Sequence, residues 1–281
     1  MDENKQPKVK ILVACHKADP NIRQDDIYMP IQVGKALHPE LDLGFQCDNT
    51  GDNISEKNGS YCELTALYWA WKNLKDVDYI GLAHYRRYFD LNNEELCKLL
   101  KYNDILLAKP LVLPSSVYNE LVYWTSLEDS TIFIDSILSL FPEYKDDVIS
   151  YYFMGNRFSQ CNMMVMRKEV FEEYCNFLFP ILKNTEDRIK LSGYARQRRV
   201  LGYLAETALG LWIKHNNYNV KTVGLATELP SNKLKLGFNN IRFDLAFKIS
   251  RRLRRPSCVP IIPSLKIGLD VDGVQCNAIA K

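Results

Sequence analysis

Several signatures of well-known binding sites are missing from this 281-residue sequence. Neither GxxxxGKS/T nor GxGxxG occurs, so a glycine-rich phosphate-binding loop is not expected. The eight cysteines include no CxxC pair, and most of them lie in apolar stretches. Because zinc sites and disulfide frameworks need clustered or regularly spaced cysteines, we expect reduced thiols in a cytosolic protein.

Long apolar runs are missing as well. No stretch reaches the roughly 18 apolar residues of a membrane-spanning helix. The polar segment Met1–Lys10 lacks the apolar centre of a secretory signal. We therefore expect neither a transmembrane helix nor a secretory signal. Apolar residues still make up 47% of the chain, which is ample for a packed core.

Acidic residues are scarce in the last fifty positions. Residues 232–281 contain ten Lys/Arg and three Asp/Glu, a net charge of +7 that leaves −5 for the first 231 residues. We predict a main domain at 1–231 and a basic amphipathic extension at 232–281. The extension is compatible with an anionic membrane surface or with packing on the main domain, whereas the acidic body argues against nucleic acid. Its pattern rests on apolar residues at helical spacing and on nearby arginines: Phe238, Ile241, Leu245, Ile249 and Leu253, with Arg251, Arg252, Arg254 and Arg255.

The first 231 residues alternate short apolar runs with amphipathic segments. Val9–Ala14 and Tyr79–Ala83 indicate buried strands, and Ser60–Glu63 has the spacing of a capping box that opens a helix reaching Asn73. Strand, helix and strand in that order favour a mostly parallel sheet with helical crossovers, an α/β fold. The other predictions are a loop and short helix over Ile22–Leu37, strands at Leu43–Cys47, Ile105–Ala108, Cys161–Met166 and Val220–Val223, and helices at Glu94–Lys101, Ser126–Leu140, Lys168–Leu182 and Tyr203–Asn216.

One predicted strand runs directly into a cluster of cationic side chains. Tyr79–Ala83 is followed by His84, Arg86 and Arg87. Arginine binds phosphate through parallel hydrogen bonds from a planar group that keeps its charge. Because ligands of open α/β sheets lie beyond the carboxyl ends of the strands, we predict a pocket for a phosphorylated ligand here. The alternative is that the arginines pair with core carboxylates and that His84 is an ordinary buried histidine.

Two other segments are candidates for the same pocket. His16 and Lys17 follow the first predicted strand, where they would help to seat a nucleotide. The polar loop Asp48–Ser55, which contains Asp52 and Asn53, suits contact with a ribose, a sugar or a cation. The alternative for this loop is a solvated turn that leads into the next helix.

Carboxylates are the remaining candidates. Glu206 lies near the start of an apolar predicted helix, as either a general base or a first-turn carboxylate favoured by the helix dipole. Nucleotide-sugar enzymes often hold Mn or Mg with an Asp-x-Asp pair after a strand, but Asp76–Asp78 precedes its strand and Asp270–Asp272 lies in the tail. We therefore expect Arg86 and its neighbours to neutralise phosphate charge without a well-placed metal pair, although a divalent cation stays an open alternative.

Five segments resemble a bacterial family long catalogued as a domain of unknown function. Its members occur in capsular and exopolysaccharide gene clusters and are regarded as glycosyltransferases, some of them galactofuranosyl- or galactosyltransferases. The resemblance extends over roughly Lys8–Leu225. It is carried by Asp48–Ser55, Tyr61–Asn73, Tyr79–Phe89 with its His-Tyr-Arg-Arg-Tyr core, Asn162–Met163 and Gly202–Glu206.

The resemblance implies a GT-A-like fold and transfer of a hexose from a nucleotide-sugar, UDP-linked, to a lipid-linked glycan in capsular, exopolysaccharide or O-antigen synthesis. The basic extension, which lies outside the resemblance, indicates peripheral attachment to the inner face of the cell membrane. Inverting transfer is favoured over retaining transfer because Glu206 can act as base. The family commonly continues this motif with Arg-Leu where this chain has Thr207 and Ala208, so substrate contacts there are expected to differ. The site residues implied are His84, Arg86, Arg87, Asp52, Asn53 and Glu206.

Two other classes of function fit parts of the pattern. A sugar-phosphate nucleotidyltransferase would need a metal-binding carboxylate pair at the strand ends, which the sequence does not show. A non-catalytic glycan-binding or scaffold protein of a polysaccharide assembly complex would share the pocket. Release of a nucleoside diphosphate from a nucleotide-sugar distinguishes the enzyme from the scaffold.

Overall fold

The computed structural model describes residues 7–227 and 233–253, together with two short strands at 268–269 and 275–276. The strands are β1 (Val9–Cys15), β2 (Tyr28–Gln32), β3 (Gln46–Cys47), β4 (Tyr79–His84), β5 (Arg87–Phe89), β6 (Ile105–Ala108), β7 (Leu111–Val112), β8 (Arg157–Phe158), β9 (Met164–Arg167), β10 (Val220–Val223), β11 (Leu225–Thr227), β12 (Gly268–Leu269) and β13 (Gln275–Cys276). The helices are α1 (Asn58–Tyr61), α2 (Leu64–Asn73), α3 (Asn93–Leu100), α4 (Val117–Trp124), α5 (Leu127–Leu140), α6 (Lys145–Val148), α7 (Lys168–Glu186), α8 (Ala195–Arg198), α9 (Val200–His215) and α10 (Lys233–Leu253).

The chain forms two compact units. The described residues of the first unit come from Met1–Lys109, Ser159–Asn176 and Tyr218–Pro230. Those of the second unit come from the three intervening and following segments, Pro110–Phe158, Phe177–Asn217 and Ser231–Lys281. The division into a main domain at 1–231 and an extension at 232–281 stays a prediction.

The first unit is built on one nine-stranded sheet. Its main path runs β10-β6-β9-β4-β1-β2-β3, and β5 pairs with both β4 and β11. The neighbours β4, β1, β2 and β3 are parallel, as are β6 and β10, whereas β9 is antiparallel to both β4 and β6. The prediction of an α/β fold with a mostly parallel sheet flanked by helices is therefore confirmed.

The centre of this sheet is covered on both faces. Ile11, Leu12 and Val13 of β1 have no exposed surface, which explains why this strand is a continuous apolar run without the alternation of a half-solvated strand. Burial also raises the pKa of the Cys15 thiol to about 12, so this cysteine is a protonated core side chain.

Several helix and strand predictions are confirmed, and the strand predicted at Leu43–Cys47 is formed only by Gln46–Cys47. Three other predictions need correction. The predicted short helix within Ile22–Leu37 is wrong, because β2 occupies that segment and pairs with β1. The predicted strand Cys161–Met166 begins only at Met164, because Cys161 and Asn162 have φ angles of 65° and 51° that leave the strand conformation.

The predicted capping box is the third correction. Cys62 has a φ of 54°, which separates the short helix α1 from α2. The Ser60 hydroxyl therefore donates to the Lys57 carbonyl at 3.2 Å, and α2 starts after Glu63 without a side-chain cap. The end of this helix at Asn73 is as predicted.

The second unit contains α9, a helix buried on almost all sides. Its buried face includes Thr207, whose hydroxyl shares a 3.0 Å hydrogen bond with the Tyr152 hydroxyl. Gly210 leaves space for Tyr151, because an added Cβ would lie 2.1 Å from the Tyr151 hydroxyl. Within the ranges that the structure describes, no helix is both long and apolar enough to cross a membrane.

Gly81 provides a test of the packing at the centre of the sheet. An added Cβ would lie 2.7 Å from the Met164 carbonyl oxygen, so alanine must push β9 away from β4. We expect Gly81→Ala to lower the free energy of unfolding by about 1–3 kcal/mol in urea denaturation. Gly193→Ala is the control, since no atom lies within 4 Å of its Cβ position. Equal stabilities of the two variants would contradict this packing.

Candidate functional site

The carboxyl ends of four parallel strands meet at one edge of the sheet. In the register, Ala14 of β1 lies opposite His84 of β4, and Cys15 lies opposite Gln32 of β2. Gln32 in turn lies opposite Cys47 of β3. The segments that follow these strand ends are therefore neighbours, at the edge where open α/β sheets bind ligands.

The motif after β4 is a tight hairpin. His84 pairs with Arg87 of the antiparallel strand β5, so Tyr85 and Arg86 form a two-residue turn. Arg86 lies in the turn, whereas Arg87 is the first residue of β5. The two side chains have different immediate partners, which define two clusters.

The first cluster, the Tyr85 cluster, consists of His16, Lys17 and Arg86 around the buried ring of Tyr85. The rings of His16 and Tyr85 meet edge to face with centroids 5.5 Å apart. The Arg86 guanidinium carbon lies 4.8 Å, and the Lys17 Nζ 5.9 Å, from the centroid of the Tyr85 ring. An aromatic face attracts cations, so this ring orients two exposed positive charges at the ends of β1 and β4.

The second cluster, the Cys161 cluster, consists of His84, Arg87, Cys161, Asn162 and Glu63. The His84 Nε2 donates to the Cys161 carbonyl at 2.9 Å, and the Arg87 Nη1 donates to the Cys161 Sγ at 2.6 Å. The Asn162 Nδ2 donates to the Glu63 Oε1 at 2.9 Å. Sequence reasoning missed Cys161 and Glu63 as parts of the site, although the resemblance included Asn162 and Glu63 within its matched segments.

The positive charges of the two clusters have no acidic partner in the part of the chain that the structure describes. Among the described residues, no carboxylate forms an ion pair with Lys17, Arg86 or Arg87. The alternative in which these arginines pair with core carboxylates therefore does not hold for the described residues. An exposed group of unneutralised cations is suited to an anionic ligand such as a diphosphate.

The polar loop after β3 is organised by a carboxylate that the sequence did not single out. Asp48 has no exposed surface and accepts four hydrogen bonds. Its donors are the Gly34 N–H at 2.8 Å, the Lys35 N–H at 3.2 Å, the Ser55 Oγ at 2.5 Å and the Thr65 Oγ1 at 2.7 Å. One buried side chain thus joins the end of β2, both ends of the loop and the first turn of α2.

Asp52 lies at the other end of α2. Its backbone N–H and carbonyl bond to the Asn73 side chain at 3.2 and 2.7 Å, and its Oδ1 accepts from the Tyr68 hydroxyl at 3.3 Å. Nine residues separate Asn73 from the first residue of α2, which is about 13 Å along the axis. Glu63, in contrast, precedes the first turn of α2. These contacts do not bring Asp52 to the Cys161 cluster, and its role in donor binding stays a prediction.

Asn53 is engaged within its own loop. Its Oδ1 accepts from the Ser55 N–H at 3.2 Å, and its Nδ2 donates to the Gly51 carbonyl at 2.9 Å. This is the local turn chemistry for which asparagine is favoured. The structure thus shows a structural use for the side chain, and donor binding by Asn53 stays a prediction.

Glu206 lies in the second unit. It is in the middle of α9, which begins at Val200, so the interpretation as a first-turn carboxylate does not hold. Together with Tyr203, Gly210 and Ile213 it forms the half-buried stripe of this otherwise buried helix. Thr207, where the family pattern commonly has arginine, is fully buried and packs in the core. The role of Glu206 as base stays a prediction.

The Asp76–Asp78 pair does not lie at the ligand edge. Asp78 is at the amino end of β4, where its Oδ2 accepts from the Lys8 N–H at 2.7 Å. Asp270–Asp272 lies outside the described residues. Within the described part of the chain, no three His, Cys, Asp or Glu side chains are grouped as metal ligands. The described residues of the two clusters therefore do not fit a carboxylate-held divalent cation.

Asp48 gives a test of how the ligand edge is held. Asp48→Ala removes the acceptor of four hydrogen bonds, and we expect it to lower the free energy of unfolding by about 3 kcal/mol. Asp52→Ala is the matched control in the same loop, since it removes an exposed carboxylate and should change stability by about 0.5 kcal/mol or less. Urea denaturation measures both. Similar losses in the two variants would contradict the central role of Asp48.

Comparisons with known proteins identify the family of the chain and a protein of similar fold. A solved structure described as the apo form of the WbbM bifunctional glycosyltransferase is similar, with a TM-score of 0.71 and 31% sequence identity over 78% of this chain. The match covers 45% of that protein, so this chain spans less than half its length. No curated protein matches the chain. Residues 10–217 match the model of a domain of unknown function, DUF4422. The chain therefore belongs to the DUF4422 family.

Proposed function

We propose that this protein is a glycosyltransferase that moves a hexose from a nucleotide-sugar to a glycan acceptor. The observation that carries the proposal is the group of three cations, Lys17, Arg86 and Arg87, which follows two adjacent parallel strands and has no carboxylate partner among the described residues. The similarity in fold and sequence to a bifunctional glycosyltransferase supports this reading. We further propose a UDP-linked donor, with galactose or galactofuranose as the sugar.

The proposed reaction replaces one bond at the anomeric carbon with another. The bond from that carbon to the diphosphate oxygen breaks, and the leaving nucleoside diphosphate takes the electron pair. The acceptor hydroxyl oxygen forms the new bond and gives its proton to a base, for which Glu206 is our candidate in an inverting transfer. The guanidinium groups of Arg86 and Arg87 and the ammonium of Lys17 stabilise the charge that develops on the diphosphate.

The other enzyme class has less support. A nucleotidyltransferase needs metal-held carboxylates beside the phosphates, and the described residues of the two clusters supply only Glu63, which is buried and bonded to Asn162. A scaffold protein would bind glycan without turnover. The panel of UDP-sugars described below distinguishes it from the enzyme.

We also infer that the acceptor is a lipid-linked glycan of capsular, exopolysaccharide or O-antigen synthesis, and that α10 holds the protein at the inner face of the cell membrane. One face of α10 is packed: Phe247 is buried, and Asp244 pairs with Arg157 at 3.1 Å within the second unit. The opposite face is an exposed apolar stripe about 16 Å long. The residues of this stripe are Phe238, Ile241, Leu245 and Ile249.

The charge beside the stripe is positive. Asp244 is the only acidic residue of α10, and the Lys248 ammonium bonded to it holds the pKa of that carboxylate below its ordinary value. Arg242 is exposed beside the stripe. Each Lys or Arg near an anionic membrane contributes about 1 kcal/mol, and apolar side chains add to it by entering the interface. Charge complementarity therefore favours an anionic lipid surface as the partner of this face.

The diphosphate site is tested with a panel of UDP-sugars. We expect Arg86→Ala to lower turnover, measured as UDP release, by about 100-fold or more, because it removes a charge that stabilises the leaving group. Lys98→Ala, an exposed cation on α3, is the control. Near-normal turnover in Arg86→Ala would refute the assignment. A wild-type protein that is inert with every donor but binds glycan would support the scaffold.

The lipid surface is tested by co-sedimentation with vesicles. We expect wild-type protein to bind vesicles that contain phosphatidylglycerol and not pure phosphatidylcholine, and the double variant Ile241→Ser/Leu245→Ser to bind at least about tenfold more weakly. Tyr123→Ser, which removes an exposed aromatic ring elsewhere in the second unit, should bind as wild type. Unchanged binding of the double variant would refute the proposal. If the double variant changes the oligomeric state and not the vesicle binding, the stripe binds another copy of this protein.

A further inference from the structure

The turn before β9 has an unusual backbone. Cys161 and Asn162 are consecutive residues in the left-handed region, with φ angles of 65° and 51°. Asparagine tolerates this region, but cysteine rarely occurs there. Such conformations persist only where the surroundings impose them. The surroundings here must therefore hold the turn, which lies at the carboxyl end of β4 because β9 is antiparallel to β4.

A buried polar pair holds this turn. Asn162 has no exposed surface and Glu63 is 7% exposed, and the two are 99 residues apart in the sequence. The Asn162 Nδ2 donates to the Glu63 Oε1, so the amide directs its NH2 group towards Glu63. The Asn162 Oδ1 then has no hydrogen-bond partner within the described ranges, which shows that the bond to Glu63 determines the orientation.

The turn also determines which ring nitrogen of His84 carries a proton. A carbonyl oxygen cannot donate, so the 2.9 Å contact with the Cys161 carbonyl requires a proton on the Nε2 of His84. In the neutral imidazole the Nδ1 is then an acceptor. The sequence left open whether His84 bonds to a phosphate or to a sugar hydroxyl. An accepting Nδ1 matches a hydroxyl and not a phosphate, because unprotonated phosphate oxygens also only accept.

We propose that Glu63 and Asn162 are positioning residues that fix His84 in the Nε2–H form, so that its Nδ1 accepts a hydrogen bond from a hydroxyl of the sugar. This inference rests on the proposed glycosyltransferase function. In this proposal the cations at the edge of the sheet bind the diphosphate, and His84 binds the sugar. Neither Glu63 nor Asn162 touches the substrate.

The variant Glu63→Gln distinguishes a positioning role of Glu63 from an effect of its charge. Glu63→Gln keeps an oxygen that accepts from the Asn162 amide, whereas Glu63→Ala removes it. We expect Glu63→Ala to lower turnover of the UDP-sugar by about 10–100-fold, as for other partners that orient a reacting group. Glu63→Gln should stay within about threefold of wild type. Equal losses in the two variants would overturn the proposal.

Nitrogen NMR of the ¹⁵N-histidine-labelled full-length protein reads the tautomer directly. The chain has four histidines, and the His84 signals are those lost in His84→Asn. We expect the Nε2–H form in wild type and in Glu63→Gln, and a mixture of tautomers in Glu63→Ala. If Glu63→Ala does not fold, Asn162→Gly is used, because glycine accepts the left-handed conformation without the amide.

The two measurements separate the two proposals. A tautomer that is unchanged in Glu63→Ala or Asn162→Gly overturns the positioning role, whatever the activity. A wild-type protein without turnover on any donor overturns the proposed function, while the tautomer shift still tests the positioning of His84, since that measurement needs no substrate.

Discussion

The parallel register of β1 with β4 on one side and β2 on the other is the constraint on which the rest of the site depends. It brings the carboxyl ends of these strands to one edge, so that His16 and Lys17 become neighbours of His84 and Arg86. The apolar residues of β1 enforce this arrangement, because both faces of the strand are buried. A chain reversal at either crossover would separate the cations and leave no site.

The electrostatic potential at this edge of the sheet depends on the groups that contact its three cations. Tyr85 offers the face of a neutral ring to Lys17 and Arg86, and the Cys161 sulfur accepts from Arg87. Neither partner carries the formal negative charge of a carboxylate. The positive potential therefore remains available to an anionic ligand.

Two buried carboxylates organise the start of α2 from opposite directions. Asp48 joins it to the end of β2 and to the polar loop, and Glu63 joins it to the turn before β9. The sequence suggested neither role. Asp48 lies in a loop from which Asp52 and Asn53 were predicted as the functional residues, and Glu63 was interpreted as half of a capping box. The hydrogen-bond partners of Asp48 lie 7 to 17 positions along the chain, and the partner of Glu63 lies 99 positions away.

The sequence by itself determined the features that depend on neighbouring residues. The apolar runs specify β1 and β4, their order with α2 specifies a mostly parallel sheet, and the strand end that carries His84, Arg86 and Arg87 specifies a cationic edge. Only the tertiary structure decided that Arg86 and Arg87 have different partners, that Asp52 lies along α2 away from Glu63, and that His84 bonds to a residue 77 positions later. The physical reason is that apolar character and its spacing along the chain are local properties of the sequence. The hydrogen bonds of a polar side chain, in contrast, depend on the donors and acceptors that folding brings to it.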